Sequence, residues 1–200
     1  GVFTAVDIGL TNHFMLGVSY GAANLFGEGG VDWNKRVEFM AKYKFLKGNS
    51  TLPAMALGFD TQGVGAFDDS LNRYTVKSKG FYAVISKRYD WWQAPTDFHA
   101  GVNYSLETKD KNHSPSGFVG VEILFRRDLS LAAEYDIALN DNKSGSPYGK
   151  GRGYFNCGVR WIFSQVLNLE LDFKNLLQNR RSSKNFSREL RIIYVDNFFD

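Results

Sequence analysis

The chain has little of what marks several common protein classes. Its single cysteine, Cys157, allows no intrachain disulfide, so there is no disulfide framework. The three histidines, His13, His99 and His113, have no cysteine or histidine partners at the spacing of a metal site. A run of about 18 or more apolar residues, which a transmembrane helix needs, is absent. The sequence therefore predicts no metal, no cofactor and no membrane-spanning helix.

Strong charge of one sign is also missing. The 24 lysines and arginines are nearly matched by 21 aspartates and glutamates, which leaves a net charge of +3. A balance this even argues against a nucleic-acid partner. Because 44% of the 200 residues are hydrophobic, the chain is not a disordered polymer. We expect one folded domain that covers residues 1–200.

Alternation is what the sequence has in abundance. In "DFHAGVNYSLE", residues 97–107, apolar side chains fall on one parity and polar or small ones on the other. A period of two is the pattern of an extended strand. The pattern recurs about eleven times, most clearly at 37–45, 119–125, 129–139 and 155–163. The sequence therefore predicts an all-β protein in which about eleven strands are evident.

The connections between these strands alternate in length. Odd-numbered strands are followed by short turns, namely "TN", "GNST", "DWWQAP", "RRD" and "QV". Even-numbered strands are followed by longer polar loops such as "GEGGVDWNKR", "DDSLN", "DKNHSPS", "DNKSGSPYGKG" and "RRSSKNFS". Up-and-down barrels of the outer membrane alternate in this way, because short turns face the periplasm and long loops face outward.

The alternation alone does not say which face of each strand meets water. A soluble sandwich or lipocalin-type barrel buries the apolar face, whereas a membrane barrel turns that face to lipid. Strands of about 9–14 residues favour lipid, because soluble strands average five or six. Aromatic residues also lie near many strand ends, as membrane interfaces require. These are Phe14, Tyr20, Phe45, Tyr135, Phe155, Phe173 and Tyr194.

The predicted fold class is an antiparallel up-and-down transmembrane β-barrel of about twelve strands in the outer membrane of a Gram-negative-type envelope. Bacterial single-chain barrels have an even number of strands. We therefore expect a twelfth strand upstream of Gly1 and a sequence truncated at its N-terminus. Twelve strands lie between small, filled barrels and open porins, so the interior should be narrow or plugged.

Charged residues on the polar parity are the candidate functional residues of this interior. In a narrow interior they should pair, since an unpaired charge there is costly. In an open pore they would set ion preference. The candidates are Glu38, Lys42, Lys44, Asp60, Glu122, Arg126, Glu134, Asp136, Arg160, Glu170, Asp172 and Lys174.

Catalysis has weak support. His99, Ser105 and Glu107 share one face, but at about 3.4 Å per residue they extend over about 20 Å or more and cannot form a triad unaided. The G-x-G in "GFDTQGVGAF" precedes no helical pattern, so we do not interpret it as a phosphate loop. The prediction is that the chain is not an enzyme, and a membrane-embedded lipid-modifying enzyme is kept as an alternative.

Residues 36–107 contain the segments "RVEFMAKYKFLKGNSTLPAMALGFDTQGVGAF", "SKGFYAVISKRY" and "DFHAGVNYSLE". A strand with Lys42 and Lys44 leads through a short turn to Pro53, then to a G-x-G-x-F segment and an "SK" strand. In these features the chain resembles the YjbH-like outer-membrane proteins. The resemblance implies an association with exopolysaccharide secretion and no catalytic residues.

Three functions follow as expectations. The first is a porin-like narrow pore or accessory barrel in envelope transport, with polysaccharide export implied by the resemblance. The second is a structural or assembly partner within a larger envelope complex, and the third is the enzyme just mentioned. The expected partners are outer-membrane lipid and other envelope or export proteins.

Overall fold

The computed structural model describes residues 2–23, 31–33, 36–142, 148–164, 166–181 and 186–195. Within these ranges the regular secondary structure consists of strands. The strands are β1 Val2–Gly9, β2 Phe14–Ala23, β3 Asp32–Trp33, β4 Glu38–Leu46, β5 Ala54–Asp60, β6 Val64–Asp68, β7 Arg73–Val76, β8 Gly80–Trp91, β9 Ala94–Ser105, β10 Ser116–Arg126, β11 Leu129–Asp136, β12 Tyr154–Ile162, β13 Leu167–Lys174 and β14 Ser187–Tyr194. No helix in the described ranges is long and apolar enough to pass through a membrane.

Eleven strands follow one another along a single antiparallel sheet. The order is β1-β2-β4-β5-β8-β9-β10-β11-β12-β13-β14, with the short β3 paired to β2 and a separate two-stranded sheet formed by β6 and β7. The prediction of an all-β meander with eleven evident strands is therefore confirmed. Among the described strands the path is open, because it starts at β1 and ends at β14 without closing on itself.

The chain divides into two compact units. The first comprises residues Gly1–Ile85 and Val102–Pro115, and the second comprises Ser86–Gly101 and Ser116–Asp200. In the first unit, Val18 of β2 lies opposite Val6 of β1 and Phe39 of β4. This register joins apolar residues of three strands into one row.

The second unit has the same kind of row over five strands. Ile123, Leu131, Val159, Leu171 and Leu190 lie opposite one another in sequence from β10 to β14. Cross-strand pairs of branched apolar residues stabilise such a ladder. A shift of one residue would place these side chains on the other face, so the register fixes which face is apolar.

The apolar faces of the strands are the exposed faces. Phe39 is 56% exposed, Val119 53% and Ile192 71%. Among the described residues, the buried set contains five apolar side chains and fourteen polar or charged ones. Large exposed apolar patches are unusual in monomeric soluble proteins and mark surfaces that meet another apolar phase.

One predicted strand is divided in the structure. The sequence over 73–90 predicts a single strand with less clean alternation, in which Lys77, Lys79 and Lys87 share the parity of the apolar residues and extend outward from that face. Instead β7 ends at Val76, β8 begins at Gly80, and Lys77 is 4% exposed. The ammonium of Lys77 binds Asp110 at 2.7 Å, so an ion pair and not solvent receives its charge.

The short turn after β8 is tighter than "DWWQAP" suggested. Only Trp92 and Gln93 separate β8 from β9, and their φ angles are 50° and 63°. Positive φ at both central residues is the geometry of the two-residue hairpin turn that matches strand twist. Neither residue is glycine or asparagine, the usual occupants, so the sequence carries no local sign of this turn.

Two glycines before β12 provide a test of the backbone. Gly151 and Gly153 have φ angles of 85° and 68°, but a Cβ on Gly153 would lie 2.6 Å from the backbone oxygen of Asp136, whereas one on Gly151 would have its nearest neighbour, the backbone oxygen of Asn142, at an ordinary contact distance of 4.0 Å. We predict that Gly151→Ala lowers the free energy of unfolding by about 1–2 kcal/mol through the left-handed backbone alone. Gly153→Ala should cost about 1–3 kcal/mol more, because the new methyl group also overlaps its neighbours.

Urea unfolding of the two purified variants, followed by tryptophan fluorescence, measures this difference. Equal losses in the two variants would contradict the close approach at Gly153.

Candidate functional site: the polar face and the hairpin on it

A network of ion pairs covers the polar face of the second unit. The guanidinium of Arg160 on β12 lies 3.0 Å from Glu122 on β10 and 2.8 Å from Glu170 on β13. Ser130 of β11 donates to Glu122 over 2.7 Å. Arg160 on β12 is therefore shared by carboxylates from β10 and β13. The strand β11, between β10 and β12, contributes the Ser130 hydroxyl.

Arg191 of β14 extends the network. Its guanidinium lies 3.5 Å from Glu170 and 3.3 Å from Asp172, and it also pairs with Glu189. Glu189 in turn binds the ammonium of Lys174. The side chains of this extension are 10–44% exposed, so water screens the pairs and each adds little stability alone. Together they satisfy the charges that the polar face carries.

The other predicted candidates of the second unit have different surroundings. Glu134 accepts from the Asn156 amide over 3.2 Å. Asp136 accepts from the Ser116 hydroxyl over 3.1 Å and from a backbone N–H in the turn that follows β11, so it ends the strand. Arg126 pairs with Asp128 at the short turn, and its side chain is 68% exposed. Their partners Asn156, Ser116 and Asp128 are not members of the ion-pair network around Arg160.

In the first unit, the polar face of β4 carries three predicted candidates. Lys42 lies opposite Gly58 and Lys44 opposite Ala56 in the register with β5. Asp60, at the end of β5, accepts from the backbone N–H of Gln62 over 2.7 Å. Glu38 is 5% exposed, which makes it the most buried of these residues.

Glu38 is buried because the β6–β7 hairpin folds onto the polar face. The Tyr74 hydroxyl of β7 donates to Glu38 over 2.7 Å. The Tyr74 ring lies so close to Gly63 that a Cβ there would be 2.1 Å from it, so only glycine fits. Burial, together with Glu38, raises the pKa of the Tyr74 hydroxyl, which therefore remains a proton donor at neutral pH.

The side chain of Glu107, in the loop after β9, binds backbone N–H groups of the β6–β7 hairpin and of the segment that follows it. Its carboxylate accepts from the backbone N–H groups of Tyr74, Ser78 and Lys79 at 2.6, 2.9 and 3.2 Å. Burial raises the pKa of Glu107, and the three N–H groups act in the opposite direction. The N–H groups of Ser78 and Lys79 lie in the break between β7 and β8, so there Glu107 takes the place of the missing strand partner.

Asp110 completes the attachment through charge. Its two oxygens bind Arg73 and Lys77, each at 2.7 Å, and both cationic side chains are 0% exposed. Burial raises the pKa of Asp110, but Lys77, the backbone N–H of Asn112 and Arg73 outweigh this effect and hold the pKa below its usual value. We refer to Arg73, Lys77, Glu107 and Asp110 as the hairpin clasp.

Sequence reasoning missed the hairpin clasp and the roles of Arg191 and Glu189. The last two lie on the polar parity of β14, so the alternation contained the signal. For the clasp the signal was Lys77, a lysine that shares the parity of Phe81 and Ile85. This lysine was interpreted as extending outward from the apolar face. The partners of Lys77 are more than thirty residues away, at a distance that no local pattern reaches.

The residues weighed for catalysis have other partners. The His99 ring lies 2.8 Å from the Ser86 hydroxyl in the second unit. In the first unit, Ser105 donates to the backbone oxygen of Lys79, and the Glu107 carboxylate is engaged by the hairpin. Within the described ranges, no group of three or more histidine, cysteine or acidic side chains is placed to hold a metal ion.

Comparison of the chain with protein-family models gives no match, and comparison with curated proteins gives none either. The resemblance to the YjbH-like proteins stays a prediction.

The hairpin clasp yields a stability prediction. Asp110→Asn removes the carboxylate that the two buried cations Arg73 and Lys77 share, and we expect the free energy of unfolding to fall by about 3 kcal/mol or more. The matched control is Asp97→Asn, which breaks the Arg88–Asp97 pair, where the arginine side chain is 69% exposed. That loss should be under about 1 kcal/mol.

Urea unfolding in neutral detergent measures both values, and limited trypsin digestion reports whether the chain at Arg73 and Lys77 has become accessible. If the two asparagine variants were equally stable and equally resistant to trypsin, the clasp would not hold the hairpin.

Proposed function

We propose that this chain forms the wall of an outer-membrane β-barrel that acts as a narrow pore or accessory barrel in envelope transport. In this proposal the sheet is closed in the membrane, its apolar face meets lipid, and its polar face lines the interior. The observation that carries the proposal is the inverted burial, with apolar side chains exposed and charged side chains buried or paired.

The size of the exposed apolar surface supports a lipid environment. Each apolar Å² removed from water is worth about 25 cal/mol, so a strand face that exposes half of each large side chain gains several kcal/mol on meeting hydrocarbon. The row from Ile123 to Leu190 repeats this on five neighbouring strands. In water the strand faces would stay hydrated, and this favourable free energy of transfer would not be gained.

Aromatic contacts near the strand ends add support. Tyr20 stacks on Trp33 with ring centroids 6.0 Å apart, and Trp91 lies 5.6 Å from Phe98. At the short turn after β12, Trp161 and Phe163 meet edge to face at 5.4 Å. Aromatic side chains of this kind are enriched where a membrane meets water.

The polar face supports a narrow interior over a wide one. Arg160 and Arg191 reach carboxylates on neighbouring strands, and in the first unit the β6–β7 hairpin places Tyr74 on the face that carries Glu38. Long side chains that pair in this way occupy space that an open channel would leave to water. The resemblance to the YjbH-like proteins favours polysaccharide export as the transport role.

A second role, as a structural or assembly partner of a larger envelope complex, is favoured by the same ion pairs. A polar face whose charges satisfy one another gives a rigid wall and does not require a passing solute. Conductance separates the two roles.

Lipid contact can be tested on two neighbouring residues of β11. Leu131 lies on the apolar face and is 41% exposed, and Ala132 is also exposed but lies on the polar face opposite Glu122 and Gly158. We predict that a fluorophore on a Leu131→Cys variant, in a Cys157→Ala background, is quenched by lipids brominated in the acyl chain. The Ala132→Cys variant should be quenched several-fold less, because its label faces away from lipid.

Equal quenching of the two labels in reconstituted vesicles would refute the proposed orientation. A chain that stays soluble and folded without detergent, and does not enter vesicles at all, would refute the membrane assignment itself.

The transport role predicts an effect of Tyr74 on conductance. In planar bilayers the wild-type chain should give small, discrete current steps. Tyr74→Ala removes the ring that lies over Glu38 and Gly63, and we expect the step size to rise severalfold because the interior widens. Tyr43→Ala, which removes a 49% exposed ring from the opposite face of β4, is the matched control and should leave the steps unchanged.

Silence of both the wild type and the Tyr74→Ala variant would contradict the pore and favour the structural role.

A further inference from the structure

Two loop segments of the second unit lie side by side, residues 148–152 before β12 and 175–181 after β13. Gly149 and Arg180 form an isolated β-bridge. The backbone N–H of Arg181 donates to Tyr148 over 2.7 Å, and that of Lys150 donates to Asn179 over 2.9 Å. The two segments therefore form one unit, which we call the paired loops.

The paired loops contain buried donors that lack acceptors. The Asn179 side-chain oxygen accepts from the backbone N–H groups of Lys150 and Arg152, and the Asn179 N–H donates to the Asn175 side-chain oxygen over 2.7 Å. The side-chain amide nitrogens of both asparagines have no acceptor in the described part of the chain. Asn175 is 1% exposed and Asn179 0% exposed, so these unmet donors lie well below the surface.

Arg180 adds an unmet donor that carries charge. Its Nε atom is buried and has no acceptor among the described residues, and none of their ion pairs includes Arg180. Burial lowers the pKa of Arg180, and the one influence in the other direction is Tyr154. Arg180 as a residue is part-exposed, and its two terminal nitrogens are not among the buried unpaired atoms, so that end of the guanidinium can be approached from solvent. A cation in this state stabilises the fold more when an anion accompanies it.

The paired loops themselves carry only positive charge, and the carboxylate of Asp141, whose backbone lies beside Gly149, accepts from the Tyr154 hydroxyl. Residues 148–152 and 175–181 contain four cationic side chains and no aspartate or glutamate. Three of the four brace the paired loops: Lys150 donates to Gln178, Arg152 to Leu177 and Arg181 to Gly149, each at a backbone oxygen. The fourth, Arg180, has its Nε without an acceptor.

We propose that the paired loops bind a phosphate group, with Arg180 as its principal contact. The guanidinium edge formed by the two terminal nitrogens matches two oxygens of a phosphate or a carboxylate, and because Nε is buried this is the edge that an anion can reach. Phosphate is favoured over a carboxylate because it carries more negative charge and the other charged side chains of the paired loops are all cationic. The phosphate belongs to a soluble anion or to a lipid headgroup, and the two sources share this chemistry.

The proposal goes beyond the proposed function and is tested without it. Isothermal titration of the full chain in neutral detergent with inorganic phosphate should show saturable binding. Arg180→Gln should weaken it by about tenfold or more, since a hydrogen bond to a charged group is worth about 1.5–3 kcal/mol. The matched control is Arg126→Gln, which removes one equally positive, solvent-exposed side chain of the same unit and should leave phosphate affinity unchanged.

Arg180→Lys keeps the charge and removes the paired N–H geometry, so it decides the matter if Arg180→Gln fails to fold. Its phosphate affinity should lie between those of the wild type and Arg180→Gln. Co-sedimentation with phosphatidic acid vesicles, compared with phosphatidylcholine vesicles, separates the sources, because a lipid headgroup site predicts retention on the former that Arg180→Gln reduces.

Phosphate affinity that is unchanged in both Arg180 variants would overturn the proposal. So would a wild-type chain that binds neither inorganic phosphate nor phosphatidic acid saturably, and so would acetate binding as tightly as phosphate. None of these outcomes bears on whether the strands cross a membrane.

Discussion

Satisfaction of buried polar groups is the constraint on which the rest of this structure depends. The apolar faces of the strands are exposed, so the buried side of the sheet is the polar one and is not held together mainly by hydrophobic packing. That side carries carboxylates, guanidinium groups, hydroxyls and amides, and each of them costs free energy unless it is paired. The Arg160 network, the Tyr74–Glu38 hydrogen bond and the hairpin clasp are three solutions to this one requirement.

These solutions differ in how tightly they hold. The Arg160 and Arg191 pairs are partly exposed and link strands that already belong to one hydrogen-bonded sheet, so we expect their loss to leave the sheet intact. The clasp is buried and joins elements that no ladder joins. The polar groups with the largest effect on structure are therefore those in the connections between strands. The paired loops show the same constraint left incomplete, with buried amides and a guanidinium nitrogen that lack acceptors.

The period of two predicted the eleven sheet strands and the face on which each residue lies, because that period is a local property of extended backbone. It predicted the polar candidates for the same reason, including Glu122, Arg160 and Glu170. It failed over 73–90, where the chain leaves the sheet and the deciding contacts come from Glu107 and Asp110. It predicted a short turn at "DWWQAP" but not its two-residue form at Trp92 and Gln93, because left-handed backbone at those side-chain types is imposed by strand pairing and not by local preference.

Glu107 has a further consequence for assembly. Its carboxylate binds backbone atoms that precede it by 28 to 33 residues, so this attachment of the hairpin cannot form until the chain beyond β9 has been made and folded back. Closing so long a loop carries an entropic cost that local contacts do not repay. We therefore expect the connection between β5 and β8 to fold after the strands that flank it. Its final position depends on a residue that follows it in the chain.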